Sequence, residues 1–135
     1  MNNTISILAD EAILLLKQLI ATPSFSKEED QTASLLSVFF AKKGMPCFRI
    51  GNNVYASCAH FDERKPTILL NSHHDTVKPN KAYTLNPFSA VEKDGKLYGL
   101  GSNDAGGCLV SLLAAFLYFY DHANLKYNLV YAASA

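Results

Sequence analysis

The feature that most constrains this chain is an apolar run that breaks off into a polar cluster. Thr67-Ile68-Leu69-Leu70-Asn71-Ser72 is followed at once by His73-His74-Asp75-Thr76. A short, nearly continuous apolar run reads as a strand buried on both faces, the kind found inside an α/β sheet. Side chains alternate along a strand, so His73 and Asp75 share one side and His74 takes the other. Imidazole is a common metal ligand. A carboxylate that accepts the ring's other N–H fixes its tautomer and raises its basicity. His-x-Asp on one face supplies both parts. Read alone, the same residues also fit a polar strand end with a histidine satisfied by backbone.

The segments around this run supply covering elements. Asp10 to Ala21 has Ile13, Leu16, Leu19 and Ile20 at helical spacing, which predicts a helix ended by Thr22-Pro23-Ser24. Ser26-Lys27-Glu28-Glu29 has capping-box spacing, with Ser26 as N-cap of a second helix. That helix would bury Leu35, Leu36, Phe39 and Phe40 and end at Gly44, ahead of Pro46. Cys47 to Ile50 and Val54 to Ala59 read as strands joined by Gly51-Asn52-Asn53. Residues 78 to 96 read as loop, with Pro79, Asn86-Pro87 and Asp94-Gly95 as turns. Lys96 to Leu100 reads as a short strand, Asn103 to about His122 as a buried apolar helix, and Leu125 to Ala133 as a last buried strand. Strands and helices in this order predict an α/β fold, a central mixed sheet covered by helices.

A second cluster, Gly99-Leu100-Gly101-Ser102-Asn103-Asp104-Ala105-Gly106-Gly107, leads into the long helix. Glycine-rich turns before helices often bind phosphate. Here the turn carries Asp104, which repels an anion and suits a cation, and no Gly-Lys-Ser/Thr follows. A plain strand-to-helix turn with Asn103 or Asp104 as N-cap remains open. Both clusters lie at strand ends, where α/β proteins place their ligands, so His73 and Asp104 can converge. Two ligands make only a partial zinc site, which takes three protein ligands and a water.

Charge narrows the function class. Twelve Lys and Arg balance twelve Asp and Glu, so there is no basic footprint for nucleic acid or for an anionic membrane. The opening MNNTISILADE lacks the basic front and apolar middle of a signal peptide. The uncharged run from Ala105 to Tyr120 is shorter than the ~20 residues that span a bilayer. Cys47, Cys58 and Cys108 form no C-x-x-C pair and read as reduced, mostly buried thiols of a cytoplasmic protein. Cys108 falls in the first turn of a helix, but a nucleophilic role needs a base, and none is identified.

Several motifs in order resemble one family, the zinc-dependent aminoacylases and carboxypeptidases that include acetylornithine deacetylase and succinyl-diaminopimelate desuccinylase. ATPSFSKEE resembles the family's opening helix pair and ILLNSHHDTV its His-x-Asp motif. YTLNPFSAVEKDGKLYGLGSNDAGG resembles its aromatic, Pro-Phe, Gly-x-Leu-Tyr-Gly and Gly-x-x-Asp series. Three positions depart from the family pattern: Gly106 where Lys is common, Tyr83 where Trp is frequent, and Leu100 where Arg is common.

The resemblance implies that His73 ligates one zinc, that Asp104 bridges two, and that Asp75 serves catalysis by orienting His73. It implies two Zn2+ (or Co2+) ions in the complete enzyme and a small N-acyl amino acid as substrate, with the acetylornithine deacetylase branch most similar. It places a Glu-Glu pair, a further acidic ligand and a His after Ala135. Residues 1–135 then read as the N-terminal part of a catalytic domain, without the dimerisation domain and the domain's C-terminal half. The chain alone is then expected to bind metal weakly or not at all, to lack turnover, and to self-associate through exposed apolar surface. The other readings are a non-catalytic fragment or interaction module, a dipeptidase, carboxypeptidase or succinyl-diaminopimelate desuccinylase of the same family, and a phosphate or nucleotide binder using the glycine turn.

Overall fold

A computed structural model describes residues 3–135. Met1 and Asn2, the start of the segment read as lacking a leader, lie outside the described residues. The order is α1 (Asn3–Ala21), α2 (Asp30–Lys42), β1 (Phe48–Ile50), β2 (Asn53–Ser57), β3 (Thr67–His73), β4 (Val91–Lys93), β5 (Lys96–Tyr98), α3 (Cys108–Phe119) and β6 (Asn128–Ser134). Four strands form one sheet in the order β1-β2-β6-β3. β3 runs parallel to β6, whereas β1–β2 and β2–β6 are antiparallel. The sheet is mixed and helix-covered, as its sequence pattern predicts.

The core sits between β6 and the helices. Tyr131, Phe40 of α2 and Phe116 of α3 are fully buried. Their ring centroids lie 5.8 to 6.3 Å apart in tilted and edge-on arrangements, the geometry aromatic quadrupoles favour. Leu36, Leu109 and Leu113 fill the same layer.

β6, not β3, is the buried strand. The sheet ends at β3, where Ile68 is 42% and Leu69 59% exposed. An apolar run is compatible with both a central and an edge position; which neighbours flank it decides burial. Pairing sets Ile68, Leu70 and Ser72 beside Leu129, Tyr131 and Ala133, the row under the helices. Leu69 and Asn71 therefore lie on the other face.

The helices differ from expectation at their ends. α1 starts seven residues before Asp10, and Ile5, Leu8 and Ala9 line an apolar groove with Ala114, Ala115, Tyr118 and Phe119 of α3. Its buried stripe is Leu15, Leu16, Leu19 and Ile20, while Ile13 is 45% exposed. α2 is preceded by Glu29 rather than Ser26, with no side-chain cap. In α2, Leu36 and Phe40 are buried and Leu35 and Phe39 partly so. Gly44 follows its end in the left-handed region, φ 67°, where glycine carries no Cβ penalty.

The stretch expected to open α3 at Asn103 instead winds as a π-type turn over Ser102–Gly107, with non-helical angles at Asp104 and Ala105 and a cis peptide between them. Regular α-helix spans 12 residues, about 18 Å. The window Ser102–Phe119 has a mean hydropathy of 1.2, but its helical part is shorter than the ~30 Å of a bilayer's hydrocarbon core. α3 buries only one face: Leu109, Val110, Leu113 and Phe116 are inside, Phe119 is exposed. Within the region read as loop, Val91–Lys93 pairs with Lys96–Tyr98 as a hairpin over Asp94-Gly95. Cys108 is exposed, contrary to expectation, whereas Cys58 is buried and Cys47 half-buried.

Candidate metal centre

β3 delivers the His-x-Asp pair to the carboxyl edge of the sheet. His73 pairs with Ser134 as the last residue of the ladder, and His74 N–H donates to Ser134 O at 2.9 Å. The polypeptide leaves the sheet at Asp75. Alternation then separates the histidines. His73 turns to the open edge, where its side chain is 42% exposed. His74 turns inward and is 5% exposed.

The second cluster arrives from the turn before α3. Gly101 takes φ 75°, which an L side chain rarely adopts. A Cβ on Gly106 would stand 2.6 Å from Gly101 O and 2.6 Å from Leu16 Cδ1. The backbone there packs too closely for any side chain, and the family's frequent lysine is sterically excluded from this turn as it stands. The turn is further tied by Gly106 N–H donating to Gly101 O at 2.8 Å, with Ser72 Oγ donating to Ala105 O at 3.4 Å. Asp104 is thereby presented toward β3.

The three residues singled out in the sequence meet. His73 Nε2 lies 3.2 Å from Asp104 Oδ1, and His73 Nδ1 lies 2.9 Å from Asp75 Oδ1 and 3.1 Å from Asp75 O. Asp75 O and Oδ1 are both acceptors, so Nδ1 carries a proton. Nε2 then faces a carboxylate with a lone pair, unless a proton or a cation lies between them. Burial by itself would lower the His73 pKa, but hydrogen bonding to Asp104 and Asp75 outweighs it and raises the pKa above 6.5. Asp75 moves the other way. The Ser26 hydroxyl foremost, then His73, holds its carboxyl below 3.8 against the opposing effect of burial.

A cation fits this donor set. Two ligands bound at ~2.0–2.1 Å to one tetrahedral zinc stand about 3.3 Å apart, close to the Nε2–Oδ1 separation. The imidazole is oriented from behind by a carboxylate, as metal-bound histidines generally are. The set is partial. Among the described residues, no three His, Cys, Asp or Glu are placed to hold one metal ion; Asp75 meets Nδ1 and Asp104 meets Nε2 of the same ring.

A buried polar network behind the site escaped the sequence reading. His74 Nδ1 lies 2.9 Å from Thr32 Oγ1, and its Nε2 lies 2.9 Å from Asn52 O. Burial pushes its pKa below 6.5. Glu29, 3% exposed, accepts Asn52 Nδ2 at 2.9 Å and the Lys27 N–H. Burial opposes its charge, but the Asn52 amide and local backbone N–H groups keep its pKa lowered. Ser26 Oγ donates to Asp75 Oδ2 at 2.6 Å. The one available signal was Ser-x-x-Glu, and it pointed to helix capping instead.

Comparison with known proteins gives the same neighbourhood. Residues 69–135 match the family described as Peptidase family M20/M25/M40. The chain is 31% identical over 119 residues to succinyl-diaminopimelate desuccinylase 2 of Ruegeria sp. (strain TM1040), covering 84% of this chain and 30% of that protein. It is 29% identical over 100 residues to the succinyl-diaminopimelate desuccinylase of Xylella fastidiosa (strain M12), covering 72% of this chain and 26% of that protein. Its fold is similar to an M20 family metallo-carboxypeptidase, Sso-CP2, from Sulfolobus solfataricus, with a TM-score of 0.74 and 24% identity over 92% of this chain and 30% of that one. The chain thus spans between a quarter and a third of the length of these relatives.

Proposed function

The chain belongs to peptidase family M20/M25/M40, and from that premise we propose that it carries the first part of a two-metal site for hydrolysing a linear amide bond in a small N-acyl amino acid. One observation carries the reading: His73 Nε2 and Asp104 Oδ1 stand 3.2 Å apart with Asp75 behind Nδ1. His73 and Asp104 would hold the metal, Asp104 with a second oxygen free to bridge to another ion. When bound, zinc or cobalt supplies a Lewis acid for the amide carbonyl and lowers the pKa of water.

The chain's own residues prepare that site. Asp75 keeps the His73 proton on Nδ1, so the ring offers Nε2. Asp104 is the most exposed of the three, with its side chain 89% accessible. In this reading the general base and the remaining ligands come from segments beyond the N-terminal catalytic part that residues 1–135 represent. The chain alone then binds metal weakly and has no turnover.

For substrate, the resemblance to the acetylornithine deacetylase branch points to an N-acetyl amino acid. A second reading, an N-succinyl substrate, is favoured by the two desuccinylase relatives. The test has two parts. Zinc added to the chain should give no hydrolysis of either N-acetylornithine or N-succinyl-diaminopimelate. The chain joined to the downstream part of a family member should cleave one of them, and Asp104→Asn should abolish it. Turnover by the chain alone would overturn the division of the site proposed here.

A further inference from the structure

The segment between α1 and α2 is docked along the end of β3. Thr76 N–H donates to Ser24 O at 2.7 Å, and Ser24 Oγ donates to His74 O at 2.9 Å. Phe25 forms a parallel bridge with Thr76, and its ring meets Phe88 edge-on at 6.1 Å. Ser24 is 2% exposed. This pairing holds Ser26 against Asp75. Lys27 next takes φ 75°, a region that non-glycine residues rarely occupy. The buried Glu29 carboxylate, itself held by Asn52, accepts the Lys27 N–H and keeps the turn in place.

The result is a carboxylate fixed at both oxygens. Asp75 Oδ2 accepts the Ser26 hydroxyl at 2.6 Å, while Oδ1 stands 2.9 Å from His73 Nδ1. The terminal torsion of an aspartate is broad, so one partner alone leaves the group free to swing away. Two partners on opposite oxygens leave it one orientation. We propose that Ser26 is a positioning residue: its hydroxyl locks Asp75 so that Oδ1 joins the Asp75 carbonyl in holding the His73 proton on Nδ1 and Nε2 is kept toward Asp104. The consequence for metal binding rests on the site reading above; the tautomer itself needs no metal.

The experiment uses the full chain with Ser26→Ala and the hydroxyl-retaining Ser26→Thr. Nitrogen NMR of the His73 ring, at a pH where it is neutral, reports which nitrogen carries the proton. Wild type and Ser26→Thr should show the Nδ1–H form, and Ser26→Ala a mixture in which Nδ1–H still leads because Asp75 O also accepts it, with a cooperative unfolding transition retained at a slightly lower midpoint. In a Co2+ titration, Ser26→Ala should weaken binding by about 3- to 10-fold, less than the ~10–100-fold of a direct orienting partner because Ser26 acts one group further out, and Ser26→Thr should restore it. A single Nδ1–H form retained in Ser26→Ala overturns the proposal. Mixed tautomers in Ser26→Ala, with no saturable Co2+ binding by the wild-type chain joined to the downstream part of a family member, would leave Ser26 in its role and remove the metal reading.

Discussion

His73 and His74 are consecutive, yet one faces two carboxylates at the open edge of the sheet and the other is enclosed by Thr32 and Asn52. Their pKa values move in opposite directions from 6.5, up for His73 and down for His74. The stability contributions therefore have opposite signs. That of His73 is fully present below 6.5 and is lost as pH rises through its raised folded value. That of His74 is fully present above 6.5 and is lost as pH falls through its depressed one. Urea midpoints between pH 5 and 8 should show His74→Gln removing part of the acid-side loss and His73→Gln part of the alkaline-side loss. The reverse assignment would contradict the two environments.

Metal binding must displace the Nε2 proton that the neighbouring carboxylates favour on His73. Co2+ affinity should fall roughly tenfold per pH unit below the His73 pKa, since ligands bind deprotonated. Asp104→Asn and His73→Ala should abolish saturable binding, and Asp75→Asn should weaken it by about 10- to 100-fold. Titrations of each variant monitored by the visible absorption of cobalt check all three. Affinity unchanged in Asp104→Asn would remove Asp104 from the site.

Gly106→Ala should disturb the site without touching a ligand. Its methyl would overlap Gly101 O, a backbone atom that cannot swing aside, and Leu16 Cδ1. Overpacking of this kind costs about 1–3 kcal/mol, and relief of the clash shifts the turn carrying Asp104. A lower melting midpoint together with weakened Co2+ binding is expected. Gly44→Ala, where nothing lies within 4 Å, should lower stability through its positive φ alone and leave Co2+ affinity unchanged.

The aromatic layer predicts a graded series. Phe116→Ala should cost about 3–5 kcal/mol in urea unfolding, as large-to-small changes in a packed core do. Tyr131→Phe removes only a hydroxyl that donates to Leu109 O at 3.4 Å and should cost about 1 kcal/mol or less. Equal costs would place the packing elsewhere.

The edge strand predicts association. β3 presents Ile68 and Leu69 partly exposed at the end of the sheet, and open apolar edges pair with further strands. Gel filtration should show concentration-dependent oligomers of this chain, reduced by Leu69→Lys. A strictly monomeric profile at high concentration would refute the exposed edge as a pairing surface.

Much of the fold was legible because its signals are local. Thr22-Pro23 stops α1 where a Pro-preceding residue must leave the helical region, and Gly44 ends α2 through its positive φ. The His-x-Asp alternation placed His73 and Asp75 on one side. Other features misled for a physical reason. Ile13 fits the helical period as well as Leu15 does, and only the way α1 packs in the fold exposes the first and buries the second. Ser26 has capping-box spacing, but the loop pairs with Thr76 and gives its hydroxyl to Asp75 instead.

Periodicity, turn chemistry and motif order thus determined by themselves an α/β chain with helices before a His-x-Asp strand and a glycine turn bearing Asp104. The tertiary structure decided that β6 is central and β3 an edge, because burial depends on neighbours distant in sequence. It also decided that Asp104 reaches His73 across 31 residues, and that Asp75 and not a helix end receives the Ser26 hydroxyl. Hydrogen bonds need contact within about 3 Å, and no spacing along the chain encodes which non-local atoms achieve it.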